Sequence, residues 1–234
     1  AYSKHVWNIN NFPTHGGQVP SLLRHIKDKI PGVMVPWMYV GMMYSAFCWH
    51  IEDHMFYSIN YMHWGEAKRW YSVPAYATAA FEAAFHEWLP DQMAMQPDLL
   101  FQLVTLLSPE KLNQSGVPVY GLVQEAHDFV VTFPCAYHGG FNTGFNCAEA
   151  VNFCPPDWLR FGSVSQERYR HFRRPPVLSL EELILKCSAE GDLSPEAAAW
   201  MAIELERVSE DERALRTGLW AKGVKRASRV EQEA

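Results

Sequence analysis

The hydrophobic positions of this chain change period more than once. Over residues 8–36, Leu22, Leu23, Ile26 and Ile30 recur at helical spacing and Pro31-Gly32 ends the run, which predicts a helix followed by a turn. Over 35–50 aromatic and β-branched residues crowd together (Trp37, Tyr39, Val40, Tyr44, Phe47, Trp49), the texture of a strand or two. Tyr57-Ser58-Ile59-Asn60-Tyr61 alternates as a further strand, and Lys68 to Val73 gives another, stopped by Pro74. Helical patterning then returns over 75–88, again over 98–107, and a third time from Ser108-Pro109-Glu110, where proline sits at a tolerated first-turn position. Strands resume over 117–124, 129–133 and 147–153. Strands that stop for helices and then resume predict one β-sandwich or barrel with a helical insert.

From Ser179 onward helix is expected. Ser179-Leu180-Glu181-Glu182 and Ser209-Glu210-Asp211-Glu212 both fit a capping box, and Ser194-Pro195 opens a helix between them. The basic run Arg213, Arg216, Lys222, Lys225, Arg226 and Arg229 reads as a solvated helix face.

Composition narrows the class. Of 234 residues 48% are hydrophobic and 14% aromatic, enough for a sizeable core and for an aromatic-lined pocket. A net charge of −6 disfavours direct binding to nucleic acid and suits a basic peptide. Cys48, Cys135, Cys147, Cys154 and Cys187 form no C-x-x-C pair, and their odd number argues for a reducing compartment. No apolar run is long enough to span a membrane, so a soluble, intracellular protein is expected. The abrupt opening Ala1-Tyr2-Ser3-Lys4 reads as a piece of something longer.

The chemistry centres on His50-Ile51-Glu52, because positions i and i+2 of a strand point to one face. His138 is the candidate third ligand. It follows an apolar strand in Phe133-Pro134-Cys135-Ala136-Tyr137-His138-Gly139-Gly140, where the glycines let the backbone turn sharply. Two histidines and a carboxylate make the facial triad of non-haem iron(II) oxygenases. The same set can hold zinc, although the H-E-x-x-H helix of zinc hydrolases is absent. Other His–acid neighbours, Asp53/His54 and Glu125/His127, arise by chance in a chain with ten histidines. Lys68, among Trp64, Trp70 and Tyr71, is either a counter-ion or a solvated strand-edge lysine, and the mid-strand Asn60 needs a partner for its amide. Tyr39 and Phe47 share strand parity while His50 does not. If all three line one pocket, a bulge or strand boundary must lie between Phe47 and His50.

Two long runs carry a family resemblance. Phe47-Cys48-Trp49-His50-Ile51-Glu52-Asp53-His54 through Tyr57–Tyr71, and Thr132–Asn142 followed by Ala148–Phe153, resemble the core of jumonji C lysine demethylases. The likeness covers roughly 7–169 and is similar to the JARID group and its plant relatives, which act on lysine 4 of histone H3. It implies a mostly β protein: a double-stranded β-helix (jelly-roll, cupin-like) core with a helical insert near 75–115, a catalytic domain over 1–170 and a C-terminal helical extension over 171–234.

The same resemblance implies that His50, Glu52 and His138 bind Fe(II). Lys68 pairs with the distal carboxylate of 2-oxoglutarate, Asn60 and Ser58 hydrogen-bond that co-substrate, and Phe47 and Trp70 wall its pocket. Tyr39, Glu52 and Ala150 match the methyl-ammonium pocket, and Asn142 a residue lining the active site. The expected reaction uses dioxygen and 2-oxoglutarate to demethylate tri- and dimethyl-lysine in a histone H3 tail, in the nucleus, with chromatin complexes as partners through other regions. Demethylation of lysine 9 or 36, protein hydroxylation, or a non-catalytic chromatin-binding role are the alternatives. The family's short N-terminal jumonji segment and its zinc-finger and reader modules have no counterpart in these motifs.

Overall fold

The computed structural model describes residues 2–15, 20–102 and 104–226. Its core is two four-stranded antiparallel sheets. One runs in the order β1 (Trp37–Gly41), β8 (Asn146–Phe153), β3 (Tyr57–Gly65), β6 (Phe129–Thr132). The other runs β2 (Ala46–His50), β7 (Tyr137–Asn142), β4 (Lys68–Val73), β5 (Tyr120–Gln124). Every pairing is antiparallel and none joins strands consecutive in sequence except β4 with β5, the interleaving of a jelly roll.

Alternation decides what faces inward. Ser58 pairs with Asn152 and Asn60 with Ala150 across β3 and β8, and these even positions turn to the cavity between the sheets. The odd positions Tyr57, Ile59, Val151 and Phe153 turn outward, into a cluster completed by Phe12, Leu22, Leu23, Trp158, Leu180 and Ile184. On the other sheet the outer face carries Trp49, Val73 and Tyr137 under a helical insert, with Phe81 and Phe85 from α2 (Thr78–Trp88) at its centre. The insert continues through α3 (Pro90–Met95) and α4 (Pro109–Gln114), where the Ser108 hydroxyl accepts from Lys111 N as expected of an N-cap.

The C-terminal part is α5 (Leu159–His171), α6 (Leu180–Glu190) and α7 (Pro195–Ala221). Ser179 and Ser194 cap the last two, accepting from Glu182 N at 3.1 Å and Ala197 N at 3.2 Å. No helix of the described residues is long and apolar enough to cross a membrane.

Several local expectations are corrected. Residues 8–36 form no continuous helix among the described residues: only short turns and the four-residue α1 (Phe12–His15) occur, and Leu22 N bonds Cys154 O at 2.7 Å instead of a helical carbonyl. The leucines repeat there because the segment lies against the outer sheet face. The apolar stretch over 98–107 holds only a single turn, Leu99–Phe101. Ser209 begins nothing and lies inside α7. Arg229 falls outside the described residues; Arg213 and Arg216 are exposed on α7 as expected, while Lys222, Lys225 and Arg226 are exposed but lie past the end of that helix. The Gly139-Gly140 pair is no turn. Both residues sit within β7, and a Cβ on Gly140 would lie 1.9 Å from Arg69 O and 2.8 Å from Phe47 Cζ. Glycine is needed there for close approach of strands, not for a bend.

Candidate active site

The expected break in β2 is present. Phe47 pairs with Gly140 and His50 with His138, so three steps on β2 match two on β7. That bulge lets Phe47 and His50 line the same cavity despite opposite parity. Glu52 follows β2 directly, and a left-handed His54 (φ 52°) bends the chain away just after it.

The ligand atoms offered by His50, Glu52 and His138 all lie within 4.8 Å of one another. His50 Nδ1 donates to Cys48 O at 2.8 Å and His138 Nδ1 to Ala136 O at 3.0 Å, so each ring keeps Nε2 for the site. His138 Nε2 is 3.3 Å from Glu52 Oε1. Burial, reinforced by the His138 ring, brings His50 down to about 4, which keeps its imidazole neutral at physiological pH. Burial works to raise the Glu52 carboxyl, but the contact with His138 and the proximity of both histidines outweigh it and hold the group well below the usual carboxylate range. Asn152 Nδ2 donates to Glu52 Oε2 at 3.1 Å and to Tyr57 O at 3.2 Å, orienting the carboxylate. Two imidazoles that present Nε2 and an ionised carboxylate, gathered on one side of an open cavity, fit a divalent metal with free positions.

The cavity is about 420 Å³ and is lined by all eleven candidate residues: His50, Glu52, His138, Lys68, Asn60, Ser58, Phe47, Trp70, Tyr39, Ala150 and Asn142. Lys68 is buried in its wall. Nζ donates to Asn142 Oδ1 at 2.7 Å and lies 5.1 Å from the Phe47 ring centroid. Among the described residues it has no carboxylate partner, and burial lowers its pKa to about 8. A buried cation without an acid is costly unless an anion joins it. Asn142 is fixed in turn, its Nδ2 donating to Ser45 O and Oγ at 3.0 and 2.9 Å. Phe47 and Trp70 meet edge to face at 4.7 Å, and Ser58 Oγ pairs with Thr132 Oγ1 at 2.5 Å. Tyr39 and Ala150 belong to the adjacent strands β1 and β8 at the Glu52 end, and Glu52 adds to burial in raising the tyrosine pKa.

Sequence reasoning missed Asn152 and Gln124. Gln124 Nε2 donates to Asn60 Oδ1 at 3.1 Å and its Oε1 accepts from Trp70 Nε1 at 2.9 Å, tying one sheet to the other. The argument that flagged Asn60, a polar amide inside an apolar strand, applies equally to Asn152. A second His–acid group, His25 with Glu190 and Asp192, lies far from this cavity in sequence and among the outer elements. Its Asp192 is already paired with Arg24 at 3.0 Å, and Glu190 sits on the opposite ring nitrogen of His25, 2.6 Å from Nδ1. That arrangement joins two segments rather than cradling an ion.

Comparison with known proteins agrees with the geometry. Residues 37–153 match the family described as "JmjC domain, hydroxylase". The chain is similar to "Lysine-specific demethylase JMJ17" of Arabidopsis thaliana, 49% identical over 227 residues, covering 97% of this chain and 18% of that protein. It is 49% identical to human "Lysine-specific demethylase 5D" over 229 residues, 97% of this chain and 15% of the relative. It is 52% identical over 189 residues to "Putative lysine-specific demethylase JMJ16" of Arabidopsis thaliana, 81% of this chain and 15% of the relative. The chain thus spans less than a fifth of the length of the curated relatives it matches.

Proposed function

The chain belongs to the JmjC family, and from that premise we propose that it is an Fe(II)- and 2-oxoglutarate-dependent demethylase of methylated lysine in a histone tail, with tri- and dimethylated lysine 4 of histone H3 as its substrate. The observation that carries this reading is Lys68, a buried cation without an acidic partner among the described residues, in the wall of the cavity that His50, Glu52 and His138 also line. That is the disposition a dicarboxylate needs if one end is to meet a metal and the other a cation. Zinc fits the ligand set equally, but a hydrolytic zinc site gives no role to Lys68.

His50, Glu52 and His138 would hold the iron. When bound, iron with 2-oxoglutarate and dioxygen supplies the oxidising power for an N-methyl C–H bond, yielding succinate and carbon dioxide. The chain's own groups do the rest. Lys68 and Asn142 fix the distal carboxylate. Ser58 and Asn60 offer hydrogen bonds along the co-substrate, and the Phe47–Trp70 wall keeps water from it. Tyr39 and Glu52 draw the methyl-ammonium toward the metal end, since an aromatic ring and a carboxylate both stabilise a cation. Ala150 leaves room beside it for three methyl groups. The hydroxylated methyl leaves as formaldehyde and restores the amine. The lysine nitrogen needs no lone pair, so the trimethyl form is accepted. In this reading the partner is the basic H3 tail and the setting the nucleus, with chromatin complexes engaged through other regions of the full-length protein.

The experiment is anaerobic titration of the Fe(II)-loaded protein with 2-oxoglutarate, followed by the charge-transfer absorption of the chelate. A saturable band that weakens at least about tenfold in affinity in Lys68→Ala is expected. The absence of any band would refute the assignment.

A further inference from the structure

The sheet that fronts the active cavity has a second cavity on its back. β8 alternates, so Ala150 faces the metal side while Glu149 faces outward. In register with Glu149 stands Tyr61 on β3, and in register with Tyr61 stands Phe129 on β6. These three form a row across adjacent strands. Trp7 from the N-terminal segment closes over the row, its ring centroid 5.3 Å from that of Phe129, and Tyr61 stacks obliquely on Phe129 at 4.5 Å. The space they bound is about 550 Å³ and also takes in His63 and Asn10.

The chemistry of the lining is specific. Three aromatic rings present π surface, and Trp7 and Phe129 are 46% and 39% exposed although apolar, so they are available to a ligand. The one acid, Glu149, keeps only 17% of its side chain exposed. His63 Nε2 and Asn10 Nδ2 hold its two oxygens at 2.8 and 3.2 Å, and no lysine or arginine of the described residues pairs with it. An aromatic wall attracts a soft cation through its ring quadrupoles, and a fixed, half-desolvated carboxylate adds to that attraction. A neutral apolar ligand would gain from the rings but not from the acid, and an anion would be repelled by it.

We propose that this cavity is a second ligand site, which takes an alkylated ammonium group, such as a methylated lysine side chain, on the face of the sheet opposite the active cavity. It does not depend on the catalytic reading, because none of its walls is a metal or co-substrate residue. Its position lets one chain hold a methylated residue on the back of β3 and β8 while the front remains free.

The test is NMR titration of the full chain with choline and with its neutral isostere 3,3-dimethyl-1-butanol. It is read at the Trp7 indole N–H, which Trp7→Phe assigns by removing it. Choline should shift this signal saturably, and the neutral isostere should bind at least about fivefold more weakly. Phe129→Leu, which keeps apolar bulk but loses the ring, and Glu149→Gln, which keeps shape but loses charge, should each weaken choline at least about threefold. Demethylation of a short peptide should be unchanged in both. Equal binding of choline and the isostere would overturn the proposal. So would shifts confined to the Tyr39 side of the sheet, or a Trp7 response indifferent to both variants.

Discussion

Glu52, His138, Lys68 and Asn142 lie between the sheets with their polar atoms held by other parts of the chain, whereas Met38, Tyr39 and Val40 lie on β1, an edge strand, and are largely open to solvent. The inner group is fixed by partners from both sheets, and even the segment after Glu52 is clamped. Tyr169 of α5 donates to Asp53 Oδ1 at 2.8 Å and accepts from His54 N at 3.3 Å, while His54 Nε2 accepts from Val177 N and Leu178 N, each at 3.1 Å. Burial lowers His54 to about 4, which keeps it the neutral acceptor those two amides need. Among the described residues the rim side chains of Met38, Tyr39 and Val40 have no such net. On the proposed function the difference has a physical sense: metal and co-substrate would demand fixed positions, and a peptide would be met by adaptable apolar surface.

If the inner group is held for metal chemistry, its loss should cost most. Glu52→Ala should lower turnover by more than about a hundredfold, beyond the loss typical of a residue that merely supports a ligand. Initial rates together with bound-iron analysis check this. Asn152→Ala, which frees the Glu52 carboxylate, should weaken Fe(II) affinity by about ten- to a hundredfold with the fold intact, measured by competition with a chelator.

Lys68 sharpens the same contrast through pH. In the proposed reading its ammonium form binds the co-substrate, and its pKa of about 8 lies below the ordinary 10.5. Raising the pH through about 8 therefore depletes the binding form, and the KM for 2-oxoglutarate should rise on the alkaline side. In Lys68→Ala the KM should be about tenfold higher at neutral pH and should lose that alkaline rise. A KM that climbs identically in both proteins would assign the titration elsewhere.

The smallest effect belongs to the rim. Ala150→Leu should slow trimethyl-lysine turnover more than dimethyl-lysine turnover, by the equivalent of about 1–3 kcal/mol for an overfilled pocket. Parallel peptide kinetics with the two substrates decide it, and equal losses would show that Ala150 does not read the methyl count.

The contrast also explains what could be read beforehand. β3 was legible because Tyr57, Ile59 and Tyr61 alternate with Ser58 and Asn60, which is the period-2 pattern itself, and β4 because Trp70, Tyr71 and Val73 make a strand-like run stopped by Pro74. The bulge before His50 followed from parity once Tyr39, Phe47 and His50 were assigned to one pocket. β7 was not, because its inward face between His138 and Asn142 is Gly140, and glycine required by crowding looks the same in sequence as glycine required by a turn. Helix α5 escaped for a related reason. Its buried face is Leu159, Gly162, Ser165 and Tyr169, where small residues admit Leu180 and Trp158 closely but leave no hydrophobic stripe. The triad and Lys68 could be named and Asn152 carried the same mid-strand amide signal as Asn60, but the contacts by which Asn152 and Gln124 steady the site depend on strand pairings distant in sequence.

The central claim is tested most directly by mass spectrometry of a trimethyl-lysine 4 histone H3 peptide incubated with the protein, Fe(II), ascorbate and 2-oxoglutarate, beside peptides methylated at lysine 9 and lysine 36. Stepwise loss of methyl groups from the lysine 4 peptide, dependent on 2-oxoglutarate and absent in Glu52→Ala, is the predicted result. An unchanged lysine 4 peptide, with the iron and co-substrate sites filled, would contradict it.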